Sequence, residues 1–247
     1  MDEPFKGLRI LKVYGLNKSS ITEALKTLSD RRDDIEWEVL PFLHENHIVI
    51  SLEGYDNTIL DMKLDRMEKE IFDILNPFVF ASGDQKMEEV VGNMLEERDL
   101  TISVAESCTG GLIGNLLTNV PGSSSYFLGG VIVYSNRSKV DLLNVSSKTI
   151  QEYGAVSDQA VREMAEGVKK KFKSPMGLAI TGIAGPSGGS TEKPVGTVFI
   201  GLAVEKEVFS GRYRFHGARE QIKQNSSTMA LDWVRRYLND DPFLPGI

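Results

Sequence analysis

The spacing of apolar residues divides the sequence into two regions of different architecture. In the first region, Ile35, Trp37 and Val39 alternate with glutamates, which is typical of a half-buried strand. A Ser-x-x-Glu capping box, Ser20 and Glu23, predicts the start of a helix. A second helix is predicted from the apolar stripe Leu60, Leu64, Met67, Ile71 and Ile74. The region therefore predicts a small α+β unit of order βαββα, with strands at residues 8–13, 35–39 and 48–52 and helices at residues 20–28 and 60–75.

The second region has continuous apolar runs, as in strands buried on both faces, with amphipathic helices between them. Ser157 is a suitable N-cap for one of these helices. Alternating strands and helices predict a layered α/β domain, and two adjacent strands near the end predict a mixed sheet. The predicted strands are residues 101–105, 130–134, 176–181, 197–203 and 208–215, and the predicted helices are residues 87–95, 110–117, 157–172 and 219–238.

A turn-rich segment at residues 80–85 separates the two regions. The predicted domains are residues 1–83, a small α+β domain, and residues 84–247, a three-layer αβα domain with a mixed sheet.

Composition and charge exclude several classes of protein. The 247 residues have a net charge of −7, and residues 1–83 hold 16 acidic and 10 basic side chains. We expect no nucleic-acid partner, because an acidic front region cannot neutralise phosphates. The single cysteine excludes an internal disulfide and a cysteine-based zinc site. The N-terminus has no apolar signal segment, and the most apolar stretch, residues 195–204, is too short to cross a bilayer. We expect a cytoplasmic protein with no membrane partner.

Three turn-rich segments of the second region contain the candidate chemistry, because ligands of α/β sheets bind beyond the carboxyl ends of strands. In the first, residues 105–111, Ser107 and Thr109 offer hydroxyls, and Gly110 allows close approach of the main chain. Free N–H groups at the following helix start attract a phosphate, although simple N-capping is the alternative. Glu106 is either a general base or a tie between the loop and backbone amides. We interpret Cys108 as a buried apolar filler rather than a nucleophile.

The second segment, residues 121–139, contains Ser124, Tyr134 and Lys139. A partly desolvated lysine can serve as the base that activates a serine, and a tyrosine can relay a proton. A turn with a surface lysine is the alternative interpretation.

The third segment, residues 180–196, is a glycine-rich loop behind a buried strand, with Thr181 and Gly182 at the strand tip. So many glycines indicate close main-chain contact with a ligand, although a mobile surface loop is the alternative. Arg219, at the start of the last helix, is suited to bind a phosphate or carboxylate with two parallel hydrogen bonds.

These segments, in this order, resemble the CinA family, and specifically its C-terminal domain, which also occurs alone as nicotinamide-nucleotide amidase. The match covers roughly residues 84–240. Residues 8–83 resemble, more weakly, the linking domain of longer members, which has been likened to KH folds. We expect the family's N-terminal molybdopterin-binding-like domain, with its metal-dependent pyrophosphatase activity, to be absent. The matching motifs are A-E-S-C-T-G-G at 105–111, P-G-S-S at 121–124, G-G-V-I-V-Y-S-N at 129–136 with Lys139, T-G-I-A-G-P at 181–186, K-P-V-G at 193–196 and G-A-R at 217–219.

The resemblance implies hydrolysis of nicotinamide mononucleotide to nicotinate mononucleotide and ammonia. It implies no metal and no organic cofactor, and since family members are often oligomeric we expect a homodimer. The family's functional positions match Ser107, Ser124, Tyr134, Lys139, Thr181 and Arg219.

The sequence favours Ser124 as the nucleophile, Lys139 as its base and Tyr134 as the group that passes the proton to ammonia. These three lie on one continuous turn–strand–turn segment. Attack by Ser107 is the alternative. The 5′-phosphate is then expected at the helix start, near Ser107, Thr109, Gly110 and Arg219, with Thr181 and Gly182 against ribose or phosphate.

Three other hypotheses stay open at this point. They are a hydrolase of a different nucleotide amide, a nucleotide-binding or regulatory module without turnover, and a DNA-uptake or repair partner, which the acidic charge disfavours.

Overall fold

The computed structural model describes residues 4–29, 36–244 and 246. The chain forms two compact units, residues 1–87 and 88–247.

The first unit is an antiparallel sheet of four strands in the order β2-β3-β1-β4. Its apolar core includes Leu11 and Ile50 of the strands and Leu64 and Met67 of the second helix. The elements in chain order are β1 (Phe5–Val13), α1 (Lys18–Ser29), β2 (Glu36–Phe42), β3 (Glu45–Gly54), α2 (Asn57–Leu75) and β4 (Val79–Ser82).

In the first unit, the observed ends of the helices differ from the ends predicted from the sequence. Asn17, not Ser20, caps α1, because the Asn17 side chain accepts the Ser20 N–H at 2.8 Å. The buried stripe of α2 ends at Leu75, whereas Ile74 is exposed. The predicted strand residue Ile35 lies outside the described residues.

The segment predicted as a domain boundary contains a strand of the first sheet. β4 pairs with β1 through Leu11 and Ser82. The polar character of residues 82–85 reflects the turn after that strand, and the short apolar run before it was too brief to predict a strand.

The second unit is built on a sheet of five strands, which is mixed, as predicted, and has the order β6-β5-β7-β8-β9. Strands β5, β6 and β7 are parallel to one another, and β8 and β9 continue the sheet in antiparallel fashion. The elements are α3 (Met87–Glu97), β5 (Ile102–Glu106), α4 (Leu112–Thr118), a 3-10 turn (Ser123–Ser125), β6 (Phe127–Ile132), α5 (Asn136–Leu143), α6 (Ser147–Tyr153), α7 (Asp158–Phe172), β7 (Met176–Gly182), β8 (Thr197–Val204), β9 (Glu207–Arg214) and α8 (Arg219–Leu238).

Helices cover both faces of this sheet, which gives the three layers that the sequence predicts. The Cα of Gly201 faces the Val161 carbonyl of α7, and that of Gly211 faces the Trp233 ring of α8. Gly211 is paired with Ile200, the neighbour of Gly201, and neighbouring residues of a strand point to opposite faces. The helices α7 and α8 therefore lie on opposite sides of the sheet.

Two short helices, α5 and α6, follow β6 and were not predicted from the sequence. The helix α5 places Lys139 behind the carboxyl end of β6, at the same edge where β5 and β7 end. Among the described residues, no helix is long and apolar enough to cross a membrane.

Candidate active site

A cavity of about 150 Å³ opens at the carboxyl ends of the parallel strands. Its wall comes from the turn after β5, the segment after β6, the end of β7 and the start of α8. The lining residues are Ser107, Cys108, Tyr134, Lys139, Ala155, Val156, Thr181, Gly182, Ala184 and Arg219.

A serine and a lysine meet inside this cavity. The Nζ atom of Lys139 lies 3.0 Å from the Oγ atom of Ser107. Ser107 directly follows β5, and its N–H donates to the Ile180 carbonyl at 3.1 Å, so its main chain is fixed against β7. Lys139 is held in the first turns of α5, which begins at the N-cap Ser135. Both side chains are therefore positioned by regular secondary structure.

Burial brings the pKa of Lys139 closer to neutrality. The side chain is 1% exposed, and loss of hydration lowers the pKa of Lys139 from 10.5 to about 8. Besides Ser107, its Nζ lies 2.7 Å from the Val133 carbonyl and 3.4 Å from the Tyr134 carbonyl. A neutral amine has two hydrogens and one lone pair. When both hydrogens of the neutral amine are donated to the two carbonyls, the lone pair is left for the Ser107 hydroxyl, whereas the charged amine donates to Ser107 Oγ.

Cys108 lies beside Ser107 and has the opposite electrostatic character. It is buried, and burial raises the pKa of its thiol to about 12. The thiol therefore stays protonated at neutral pH, which makes it a poor nucleophile. This agrees with the interpretation of Cys108 as a filler.

Arg219 and Tyr134 border the mouth of the cavity. The guanidinium of Arg219 donates to the Tyr134 hydroxyl at 3.2 Å and to the Gly185 carbonyl at 2.7 Å. Tyr134 is 63% exposed. Deeper in, Thr181 donates its hydroxyl to the Ala155 carbonyl at 2.8 Å. Arg219 is thus a cation at the entrance, and Thr181 fixes the far wall.

Glu106 ties the turn after β5 to helix α4, one of the two roles considered for it from the sequence. Its carboxylate accepts hydrogen bonds from the Thr109 hydroxyl at 2.6 Å and from the N–H groups of Gly111 at 2.9 Å and Gly114 at 2.8 Å. The N–H groups of Gly111 and Gly114 are therefore not available to a phosphate at this helix start. Thr109 and Gly110 do not line the cavity.

Comparison with known proteins identifies the family. The model of the CinA C-terminal domain matches residues 84–238. A protein of Caldicellulosiruptor bescii named putative competence-damage inducible protein is 43% identical over 232 residues, covering 94% of this chain and 56% of that protein. A protein of the same name from Caldanaerobacter subterraneus is 40% identical, over 93% of this chain and 55% of its own length. This chain belongs to the CinA family.

Solved structures support the same family assignment. The competence/damage inducible protein CihA of Agrobacterium tumefaciens is 35% identical, with a TM-score of 0.59, over 63% of this chain and 97% of its own. A CinA superfamily protein of Klebsiella pneumoniae is 28% identical, with a TM-score of 0.60, over 63% of this chain and 99% of its own. The chain spans about half the length of the curated CinA relatives it matches.

In this CinA-family fold, Ser124 does not meet Lys139 within one chain. Ser124 lies in the 3-10 turn before β6 and is exposed, whereas Lys139 follows β6. The six residues of β6 separate the two ends by about 20 Å at the usual rise per strand residue. The arrangement favoured from the sequence is therefore corrected, and the alternative, in which Ser107 faces Lys139, is the one present.

Two contributions to the site were missed or left open by sequence reasoning. The carbonyl of Val133 accepts a hydrogen bond from Lys139, and no sequence signal marks a carbonyl for that role. Glu106 was noticed, but its partners Gly111 and Gly114 become identifiable only with the turn in three dimensions. Within the described ranges, no group of three or more His, Cys, Asp and Glu side chains is arranged to bind a metal ion.

Proposed function

We propose that this CinA-family protein hydrolyses the carboxamide of nicotinamide mononucleotide to nicotinate mononucleotide and ammonia. The observation that supports this most is the 3.0 Å approach of Lys139 Nζ to Ser107 Oγ in a cavity at the carboxyl edge of the sheet. A serine with an adjacent base is the arrangement that amide hydrolysis by nucleophilic catalysis requires.

In the first step, Ser107 Oγ attacks the carboxamide carbon while neutral Lys139 takes the hydroxyl proton. A tetrahedral intermediate forms, and its oxyanion needs hydrogen-bond donors. We propose the main-chain N–H group of Cys108, a residue of the cavity wall, as one of these donors. The carbon–nitrogen bond then breaks, and the proton held by Lys139 leaves with the nitrogen as ammonia.

In the second step, water attacks the Ser107 ester, and Lys139 again takes the proton. The ester bond breaks, the proton returns to Ser107 Oγ, and nicotinate mononucleotide leaves. Lys139 is neutral at the start and at the end, so the cycle consumes one water and needs no other reactant.

The nucleotide part of the substrate is assigned to the cavity mouth. Arg219 has a fork of N–H donors suited to a phosphate, and binding it costs the hydrogen bond to Tyr134 that it makes in the free protein. Thr181 and Gly182 line the wall on which the ribose is expected to rest.

Hydrolysis of a different nucleotide amide is the second candidate, because the serine–lysine pair attacks any carboxamide that reaches it. The deciding measurement is ammonia release by the purified protein, with a chelator present, from nicotinamide mononucleotide, nicotinamide riboside and NAD. We expect release from the mononucleotide at a kcat/KM far above that for the other two. Binding of the mononucleotide without ammonia release would instead indicate a module without turnover.

We also propose a homodimer, which light scattering measures directly.

A further inference from the structure

The carboxylate of Glu106, at the end of strand β5, accepts three hydrogen bonds from the turn that follows Ser107 and from the start of α4. It accepts from the Thr109 side chain, within the turn, and from two main-chain N–H groups at the start of α4, those of the N-cap Gly111 and of Gly114. Glu106 is 1% exposed. A buried carboxylate is costly unless hydrogen bonds compensate its charge. Here three donors surround it, so the charge is well compensated.

The position of this carboxylate is unusual for a helix cap. Helix starts are ordinarily capped by the residue at the N-cap position itself, but that residue is Gly111, which has no side chain and a φ of 101°. The cap of α4 comes instead from Glu106, five residues earlier and on the far side of Ser107. Glu106 precedes Ser107 in the chain, and the N–H groups that its carboxylate binds follow Ser107. These hydrogen bonds therefore connect the two ends of the turn that contains Ser107.

We propose that Glu106 is a positioning residue, which holds Ser107 Oγ at the distance from Lys139 Nζ that proton transfer requires. The inference rests on the proposed function for its activity readout. Glu106 does not line the cavity, so it acts through the turn and not on the substrate. A displacement of about 1 Å of a catalytic group can cost on the order of 100-fold in rate.

The test variant is Glu106→Gln, which keeps the shape of the side chain. Its NH2 group would face the N–H groups and hydroxyl that now donate to the carboxylate. We expect kcat for ammonia release to fall at least about 10-fold with KM changed less than about 3-fold.

The matched control is Glu163→Gln. The Glu163 carboxylate also accepts from a main-chain N–H, that of Ser146 at 2.6 Å, and from a threonine hydroxyl, that of Thr149 at 2.6 Å. It does so at the start of α6, outside the cavity lining. We expect this variant to lose thermal stability to a similar degree and to keep its kcat. An equal loss of kcat in both variants, or none in Glu106→Gln, overturns the proposal.

Thr109 provides a milder variant if Glu106→Gln does not fold. Thr109→Val removes one of the three donors, and Thr109→Ser restores a hydroxyl. We expect kcat to fall about 3-fold in Thr109→Val and to recover in Thr109→Ser. A general-base role for Glu106 would abolish the pH dependence of kcat in Glu106→Gln, whereas positioning leaves it in place.

Chemical labelling of Ser107 tests the positioning role of Glu106 without the substrate, and therefore independently of the proposed amidase activity. Fluorophosphonates label activated serines, so the rate of labelling of Ser107 reports the serine–lysine geometry. If the wild-type protein releases no ammonia but labels, the proposed function fails and the Glu106 proposal is still tested by the rate. We expect labelling at least about 10-fold slower in Glu106→Gln than in Glu163→Gln. Equal rates in these two variants would reject the positioning role.

Discussion

Two serine-containing turns of similar composition flank the parallel strands β5 and β6, but they lie in different surroundings. The turn with Ser107 follows β5 and is buried against Lys139. The turn with Ser124 precedes β6 and is exposed, and the hydroxyl of its neighbour Ser125 donates to the Gly122 carbonyl and to the Glu96 carboxylate. The difference shows that hydroxyls and glycines alone do not make a nucleophile. The end of the strand at which they lie decides whether a base reaches them.

The largest expected effect separates the two serines directly. Ser107→Ala removes the proposed nucleophile and is expected to lower kcat at least about 10³-fold, while Ser124→Ala changes it less than about 3-fold. Ammonia release under saturating nicotinamide mononucleotide measures both. A large loss of kcat in Ser124→Ala would mean that the exposed turn takes part in the chemistry, and would contradict the functional difference inferred between the two turns.

The second prediction concerns the base that only the Ser107 turn meets. Lys139→Arg keeps the positive charge but cannot release its proton at neutral pH, so kcat is expected to fall at least about 10²-fold. Lys148→Arg, on the exposed surface of α6, is the control and should leave the rate unchanged. Comparable activity in the two variants would exclude lysine as the base.

The third prediction is a pH dependence. Since the proposed mechanism requires neutral Lys139, and burial lowers the pKa of that side chain to about 8, kcat/KM should rise with pH and level off above that value. Below it, each pH unit should lower kcat/KM about tenfold. Initial rates between pH 6 and 9.5 measure the profile. A flat profile over that range would contradict a buried lysine base.

A smaller effect is expected at the cavity mouth. Arg219→Gln removes the cation assigned to the phosphate, and we expect KM for nicotinamide mononucleotide to rise about 10- to 100-fold with kcat changed less than about 5-fold. Nicotinamide riboside, which lacks the phosphate, serves as the control substrate. If its kcat/KM falls as much as that of the mononucleotide, Arg219 does not recognise the phosphate.

The smallest effect is expected at the neighbour of the nucleophile. Cys108 shares the turn with Ser107, but its thiol stays protonated because burial raises its pKa to about 12. We expect Cys108→Ala to retain kcat within about 3-fold and to lose some thermal stability, because a buried side chain becomes smaller. Loss of activity comparable to that of Ser107→Ala would make Cys108 part of the chemistry.

Local patterns were sufficient to predict most of the elements. The alternating residues of β3 and the stripe of α2 have long, regular periods, and both elements were predicted within a few residues of their observed ends. The strand β4 has four residues and the helices α5 and α6 have eight and seven. Patterns that short contain too few periods to be recognised, so these elements were missed.

The sequence by itself determined that an acidic chain has two regions, that the second is a layered α/β domain, and that three turn-rich segments contain its candidate site residues. Periodicity and turn residues are local properties, and the chain displays them without folding. Only the tertiary structure decided which serine Lys139 meets, because the direction and length of β6 place Ser124 and Lys139 at opposite ends of that strand. It also decided the partners of Glu106, since hydrogen bonds across a turn depend on distances that residue order does not specify.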